Sequence, residues 1–303
     1  MKHPIMWSAV LLGALHSGLL FAESTAEFHR SLPLEPSDHI ILDVTVPNGN
    51  LTIAYAHAGE ISIAAMARAS RGQVPADYFD RGLVVERNGA HVKVQFNSKT
   101  PPANSDLRVT YTINVPNWIE INSSVGTGKQ TISGVMGPVR AMVDSGDVKI
   151  QYITNTLEAK TGRGNIIVDR VGTAATIETG AGSIRVKDVG PGSSAAVKKG
   201  NGRIEAAGIR GSFVASTDAG ELKVAGSVYD HWDLQSGSGD ILVSTAPEDK
   251  FDVDAATHSG RVAVENSDIE APEDANARTC HQKVNGGGKL VRIRSTSGSI
   301  VLQ

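Results

Sequence analysis

Four acidic residues are the side chains whose type and spacing best suit catalysis. These are Asp218, Glu221, Asp233 and Asp240. Two carboxylates held about 5–9.5 Å apart can cleave a glycosidic bond, one as the acid and the other as the base or nucleophile. The four acids therefore make a polysaccharide lyase or hydrolase one hypothesis for this protein. Residues of both charges surround them in the sequence and no groove-forming loop flanks them, which favours a non-enzymatic protein.

Cys280 and His281 are a second candidate, because thiolate and imidazole groups both bind metal ions. No other Cys or His lies close to them, and the single cysteine of the chain cannot form an internal disulfide. We therefore interpret Cys280 as a thiol in a surface loop, within an inserted loop at 267–289.

Two glycine-rich patterns imitate ligand-binding motifs. The segment 123–130 resembles a phosphate-binding loop, but it lacks the first glycine and has Gln130 where Ser or Thr is required. Calcium-binding nonapeptide rolls need an acid at a fixed place, where this chain has cations such as Arg203 and Arg261. The sequence thus predicts no catalytic, cofactor-binding or metal-binding residue.

A repeat of about 18 residues positions these side chains. In each repeat a glycine precedes a polar, an apolar, any and another apolar residue, as in the segment 146–150. Gly128 begins the series less regularly, because Gln130 stands where an aliphatic residue is expected. The repeat glycines are Gly128, Gly146, Gly164, Gly182, Gly202, Gly220, Gly239, Gly260 and Gly298.

From Gly146 onward, apolar residues precede each repeat glycine by seven and five positions, for example Leu157 and Ala159 before Gly164. Alternation at period 2 indicates a strand with one buried face, and its recurrence stacks equivalent positions. The sequence therefore predicts an all-β, parallel β-helix-like β-solenoid of about nine coils, with glycine corners that need positive φ. A β-sandwich with ordinary hairpins is the alternative.

The equivalent positions of successive repeats, which form columns, include one column of hydroxyl residues and two unusual residues, Lys199 and Trp232. A Ser or Thr three positions before most repeat glycines is expected to point inward and bond to another hydroxyl or to the turn backbone. Lys199 replaces it in one coil, so either that coil turns differently or the ammonium reaches solvent. Trp232 lies in an inward column and is predicted to fill the core, although with His231 and Asp230 it could instead stack on a sugar.

The first 22 residues are predicted to be a signal peptide. A basic start precedes an apolar run that ends at Ala22, after which cleavage is expected, with Ala26 as the alternative site. A retained membrane anchor is the competing interpretation, but polar residues interrupt the run. The protein is therefore expected to be exported, to be periplasmic or extracellular at the cell surface, and not to span a membrane after processing.

The remaining chain divides into three parts. Residues 23–39 are expected to form an extended leader, 40–120 a strand-rich region that caps the solenoid, and 121–303 the solenoid repeats. Within 40–120, Asn88 and Gly89 predict a hairpin turn. The last strand, around Ile300, is expected to be an unpaired edge, so end-to-end self-association through the C-terminal coil is a hypothesis.

Composition limits the possible partners. The net charge of −3 excludes a basic protein that binds nucleic acid through phosphates. Glycine makes up 32 of 303 residues, above its usual share of about 7%. That excess is what a repeating corner would require.

Three segments carry a resemblance to a known family. These are residues 49–53 (Gly-Asn-Leu-Thr-Ile), 111–116 (Tyr-Thr-Ile-Asn-Val-Pro) and 145–150 (Ser-Gly-Asp-Val-Lys-Ile). Together they resemble the bacterial putative-adhesin family of β-strand repeats, a domain of unknown function. The resemblance covers about 40–303 and implies an exported β-solenoid, with adhesion by analogy and no catalytic residue to carry over.

The sequence thus favours an exported, non-enzymatic β-solenoid scaffold. It is expected to be adhesin-like and to bind a protein or glycan of the cell envelope or cell surface. A polysaccharide lyase or hydrolase and an envelope-stress signalling accessory module are the alternatives.

Overall fold

The computed structural model describes residues 24–35, 39–57, 59–70, 72–97, 106–265 and 276–303, so the predicted signal peptide lies outside the described residues. In chain order the first strands are β1 (Ser24–Pro33), β2 (Ile41–Asn48), β3 (Asn50–Tyr55), β4 (Glu60–Ala69), β5 (Leu83–Asn88), β6 (His91–Phe96), β7 (Leu107–Val115), β8 (Glu120–Thr127), β9 (Gln130–Ser133), β10 (Val139–Ser145), β11 (Val148–Ile153), β12 (Leu157–Arg163) and β13 (Ile166–Val171). The others are β14 (Ala174–Ala181), β15 (Ile184–Val189), β16 (Ser194–Asn201), β17 (Ile204–Ile209), β18 (Ser212–Ala219), β19 (Leu222–Gly226), β20 (Trp232–Ser238), β21 (Ile241–Thr245), β22 (Phe251–Thr257), β23 (Val262–Val264), β24 (Thr279–Val284), β25 (Lys289–Ser295) and β26 (Ile300–Leu302). The same residues hold one short helix, α1 (Tyr78–Gly82). None of their helices has the length and apolar character needed to cross a bilayer.

The described strands form two sheets of 13 strands each. Sheet 1 has the order β1-β4-β7-β3-β9-β11-β13-β15-β17-β19-β21-β26-β23, and sheet 2 has the order β24-β22-β25-β20-β18-β16-β14-β12-β10-β8-β2-β6-β5. Through the repeats the chain alternates between the sheets and pairs in parallel, so one coil is a strand of sheet 2, a corner and a strand of sheet 1. The predicted β-solenoid is confirmed.

Equivalent apolar residues of successive coils stack in the core. Val148 is the register partner of Ile166, and Ile166 is the partner of Ile184. All three are at most 1% exposed. A single coil cannot bury its apolar side alone, so the stack of coils is what excludes water from these side chains.

The corner glycines bring the backbones of neighbouring coils into close contact. Gly146 has φ of 146°, and a Cβ built on it would overlap the carbonyl oxygen of Gly128. Any other residue there would be strained and would also clash. In spatial order the column is Gly49, Gly128, Gly146, Gly164, Gly182, Gly202, Gly220, Gly239, Gly298 and Gly260.

Buried hydroxyls satisfy the carbonyl groups of these corners. Thr161 Oγ1 donates to the Gly146 carbonyl at 3.0 Å, and Thr179 Oγ1 donates to that of Gly164 at 3.1 Å. A buried carbonyl without a donor costs about 1–3 kcal/mol. The predicted inward Ser/Thr column is therefore confirmed for these coils, with the turn backbone as its partner.

The first end of the rod contains two coils beyond the nine predicted ones. β2 and β3 turn at Gly49 and stack against β8 and β9. β6 and β7 form a further coil, which lies between β2/β3 and the strands β5 and β4. The hairpin of β5 and β6 at Asn88 and Gly89 is confirmed.

An aromatic cluster packs at the same end of the rod. The ring centroid of Phe79 in α1 lies 6.0 Å from that of Phe96 and 6.4 Å from that of Tyr111.

The segment expected to be an extended leader is a paired strand. β1 pairs antiparallel with β4 along all ten of its residues. Ala26 is 5% exposed and lies opposite Ala67, which is also buried. The segment is therefore part of sheet 1 and covers its first edge.

The expectation that the strand around Ile300 is an unpaired edge is wrong. β26 pairs with β21 on one side and with β23 on the other, and Ile300 is fully buried. The reason is that the coil of β22 and β23 does not stack directly on the coil of β20 and β21. The later coil of β25 and β26 lies between them. Within the segment expected to be an inserted loop, β24 pairs antiparallel with β22, and 266–275 lie outside the described residues.

We predict that Gly146→Ala destabilises the protein much more than Gly89→Ala. Gly89 has φ of 58° but no atom within 4 Å of a built Cβ, so alanine at this position causes only backbone strain of about 1–2 kcal/mol. At Gly146 the clash with the neighbouring corner adds to such strain, so alanine there should lower the free energy of unfolding by roughly 2–5 kcal/mol. Urea denaturation followed by circular dichroism measures both losses, and equal losses would contradict the stacked corner.

Candidate functional site

Several outward charges of neighbouring coils form ion pairs with one another. On sheet 2, Glu158 pairs with Arg140 at 3.2 Å and with Lys160 at 3.0 Å. On sheet 1, Arg185 pairs with Glu205 at 2.9 Å, and this hydrogen bond lowers the pKa of Glu205. Such exposed pairs contribute about 0–1 kcal/mol each. The middle of the rod therefore presents mixed charges, several of which pair between neighbouring coils.

A second surface is concave and lies at the end of the rod that the N-terminal strands form. It encloses about 610 Å³ on the outer face of β1, β4, β7 and β3. Thr110, Thr112 and Met66 line it, together with Arg68 and Arg108. We call this surface the arginine face, defined by these five residues.

The two arginines of the arginine face lie directly opposite each other. Arg68 of β4 and Arg108 of β7 are register partners in an antiparallel pair, where like charges destabilise the sheet. Arg68 Nε donates to Met66 Sδ at 2.9 Å, and a thioether is a weak acceptor. Asp106 lines the same concavity, and its Oδ2 accepts from Ser70 Oγ at 3.4 Å. An anion bound between the two guanidinium groups would therefore relieve their repulsion and gain charge-assisted hydrogen bonds.

Sequence reasoning missed the arginine face. Arg68 and Arg108 belong to strands outside the repeat, so no periodicity relates them. Only the register of β4 against β7 brings them together.

The four acids considered for catalysis occupy different surfaces. Glu221 and Asp240 follow corner glycines in adjacent coils, so the structure brings these two near each other. Glu221 pairs with Arg203 at 2.7 Å, and Asp240 Oδ1 accepts from the backbone N–H of Ser299 at 2.8 Å. These contacts join one coil to the next.

The other two acids belong to strands of sheet 2. Asp233 lies on sheet 2, where its Oδ1 accepts from Gln235 Nε2 at 3.1 Å. Asp218 is an exposed residue of β18, also in sheet 2. The arrangement does not combine the four acids into one cleft.

The interpretation of Cys280 as a surface-loop thiol is wrong. Cys280 is 4% exposed in β24, opposite Ala255, and burial raises the pKa of its thiol. His281 points to the other face of the same strand, and its Nδ1 lies 2.9 Å from Asp254 Oδ1. Adjacent strand residues face opposite sides, so these two cannot share a metal ion. The described residues contain no group of three or more His, Cys, Asp or Glu side chains able to hold one.

Trp232 fills the core as predicted. It is 1% exposed, and its indole N–H donates to the Gly211 carbonyl at 3.2 Å. Asp230 and His231 instead contact the coil of β25: Lys289 Nζ lies 4.0 Å from Asp230 Oδ1, and His231 Nδ1 accepts from the Leu290 N–H at 3.2 Å. A sugar-stacking site at these three residues is not formed.

Neither expectation for Lys199 holds. Its coil keeps the register of its neighbours, with Lys199 paired to Thr179 and Thr217, and the side chain is only 2% exposed. The ammonium donates to the Asn201 carbonyl at the corner, in place of the usual hydroxyl. Burial lowers the pKa of Lys199 from its ordinary 10.5.

The repeat and the fold agree with one known family. The sequence pattern of Toastrack DUF4097 matches residues 38–303. The chain belongs to this family. The predicted resemblance to bacterial adhesin-like β-strand repeats of unknown function is thereby confirmed.

Three solved structures resemble this Toastrack chain at low identity. A protein from Parabacteroides distasonis named a putative lipid binding protein has 14% identity and a TM-score of 0.47, with 91% of this chain and 96% of that chain covered. A putative adhesin from the same species has 11% identity and a TM-score of 0.42, with coverage of 91% and 96%. A putative adhesin from Bacteroides fragilis has 12% identity and a TM-score of 0.40, with coverage of 91% and 97%. Comparison with curated proteins gives no match.

We predict that Lys199→Thr stabilises the protein by roughly 1–3 kcal/mol at pH 7, because it replaces a buried ammonium by the usual hydroxyl. The unfolded chain binds the Lys199 proton up to pH 10.5 and the folded chain loses it at lower pH, so the wild type gains stability as pH rises through that window. The advantage of the variant should shrink accordingly. Urea titrations from pH 7 to pH 10 measure this, with exposed Lys198→Thr as the control. A constant advantage would contradict the shifted pKa.

Proposed function

We propose that the protein is an exported, non-enzymatic, adhesin-like scaffold that binds a partner at the cell envelope or cell surface. The observation that carries this proposal is the arginine face, where two opposed guanidinium groups border a concavity at one end of a rigid rod. The stacked coils hold this surface in a fixed position, and binding a partner there requires no catalytic cleft. Stacked parallel strands are about 4.8 Å apart, so the rod extends well beyond the site.

The chemistry of the arginine face favours a partner that bears anionic groups. A guanidinium group binds a carboxylate or sulfate through two parallel hydrogen bonds, and two such groups side by side suit a polymer with repeated charges. The threonine hydroxyls of the arginine face can bond to sugar hydroxyls. We therefore infer that an acidic glycan is the class of ligand.

The test is binding to immobilised polygalacturonate and chondroitin sulfate, with neutral dextran as the reference. The wild type should bind an acidic polymer in preference to dextran. Arg68→Gln/Arg108→Gln should weaken this binding at least ten-fold, because each charge-assisted contact contributes about 1.5–3 kcal/mol. Biolayer interferometry at a fixed salt concentration measures the affinities.

The matched control is Arg140→Gln/Arg185→Gln, which removes the same charge from arginines that are ion-paired along the coils. Its affinity should stay close to that of the wild type. Equal losses in both double variants would indicate nonspecific attraction. Failure of the wild type to bind either acidic polymer would also contradict the proposal.

Export is the second part of the proposal, and the position of β1 supports one cleavage site. Cleavage after Ala22 leaves β1 whole, since the strand begins at Ser24. Cleavage after Ala26 would remove the first three residues of β1, including the buried Ala26. The processed chain is therefore expected to begin at Glu23.

Mass spectrometry of the full chain, recovered from the exported fraction of a Gram-negative host, checks this prediction. A mass that begins at Glu23 is expected, whereas one that begins at Glu27 would identify the alternative site. An unprocessed chain retained in the cell would contradict export.

A further inference from the structure

The coil of residues 289–303, which we call the inserted coil, lies between two coils that precede it in the chain. β25 pairs in parallel with β20 on one side and with β22 on the other. β26 likewise pairs with β21 and β23. Gly298 therefore stacks between Gly239 and Gly260 in the corner column. Without the inserted coil, two sheet edges would face each other across an unfilled gap.

This gap matches one extended coil in both hydrogen bonding and apolar volume. Unpaired parallel strand edges on both sides would accept an added strand. Between them the inserted coil buries four aliphatic side chains, each at most 2% exposed, which are Val291, Ile293, Ile300 and Leu302. The gap is thus a complete strand-acceptor site.

Charged contacts make the site specific for the sequence of the inserted coil. Arg294 Nη2 lies 2.5 Å from Asp254 Oδ2, and Arg294 Nη1 donates to the Asp254 carbonyl at 2.6 Å. The hydrogen bond from Arg294 lowers the pKa of Asp254. Arg292 lies 3.9 Å from both Asp233 on β20 and Asp254 on β22. A register shift of one residue would turn these arginines toward the core, so such a shift is disfavoured.

A glycine-rich turn connects the inserted coil to β24. Asn285 has φ of 52°, and it is followed by Gly286, Gly287 and Gly288, of which the first two also have positive φ. Asn285 Nδ2 holds this turn by donating to the carbonyls of Pro247 and Asp249, each at 2.9 Å. Three successive glycines can open into an extended connection without steric cost.

We propose that the gap accepts residues 289–303 of a second copy of this chain, so that two copies exchange inserted coils and form a reciprocal dimer. Every ladder hydrogen bond, buried side chain and Arg–Asp contact is then re-formed with the same residues, and only the turn at 285–288 changes. A second copy is the occupant because it alone is certain to carry the complementary pattern of four aliphatic residues and two arginines. This association differs from edge-to-edge pairing and is independent of glycan binding.

Disulfide trapping between two marked copies tests the exchange. One copy carries Asp252→Cys and the other carries Leu290→Cys, and both carry Cys280→Ala. Residues 252 and 290 are register partners on neighbouring parallel strands, at a separation that a disulfide can span. The copies, one with a mass tag, are mixed, unfolded in urea, refolded together at high protein concentration and oxidised. An inter-chain disulfide of dimer mass is expected on a non-reducing gel.

The matched control uses Met142→Cys in one copy and Lys160→Cys in the other, in the same background. These positions are also register partners, but they lie in the middle of the rod, where exchange of the inserted coil cannot join two chains. The inter-chain band should be lost in this control. An equal band in the control would overturn the proposal, because it would show nonspecific oxidation.

A single chain with both Asp252→Cys and Leu290→Cys shows that the thiols can meet. If this chain forms its internal disulfide but the mixed copies form no inter-chain disulfide, exchange is overturned. If the internal disulfide does not form, the register that the exchange requires is wrong, and the proposal fails for that reason.

Discussion

The close approach of one corner to the next is the contact on which the whole rod depends. At Gly146 the backbone of one coil lies against the carbonyl of Gly128 so tightly that a Cβ has no room. This contact recurs along the column and holds successive coils at the spacing of parallel strands. Because the corners are aligned, Val148, Ile166 and Ile184 are aligned too, and the core is continuous.

The same alignment explains the distribution of charge on the surface. Outward residues of neighbouring coils are also a strand spacing apart, so opposite charges such as Arg140 and Glu158 meet and pair. At the first end the chain leaves the repeat and runs antiparallel through β1 and β4. There Arg68 meets Arg108 instead of a carboxylate, and the surface becomes suited to an external anion.

At both ends of the rod, the order of the strands in the sheets differs from their order in the chain. β6 and β7 lie between β2/β3 and the strands β5 and β4, and β25 and β26 lie between two earlier coils. At each end an antiparallel strand, β5 or β24, lies outermost in sheet 2. Open parallel sheets expose edges that pair with other chains, and these returns of the chain shorten and cover such edges. They also create the gap in which residues 289–303 of a second copy can replace the same residues of the first.

The repeat by itself determined the two buried columns, the glycine corners and the inward hydroxyls such as Thr161, because these depend only on what each residue meets in an equivalent coil. The tertiary structure alone decided which coil lies next to which. All coils share one local pattern, so the pattern cannot show that Gly298 stacks between Gly239 and Gly260. For the same reason the burial of Cys280 and the meeting of Arg68 with Arg108 were not predictable, since both follow from antiparallel pairings between segments that no period relates.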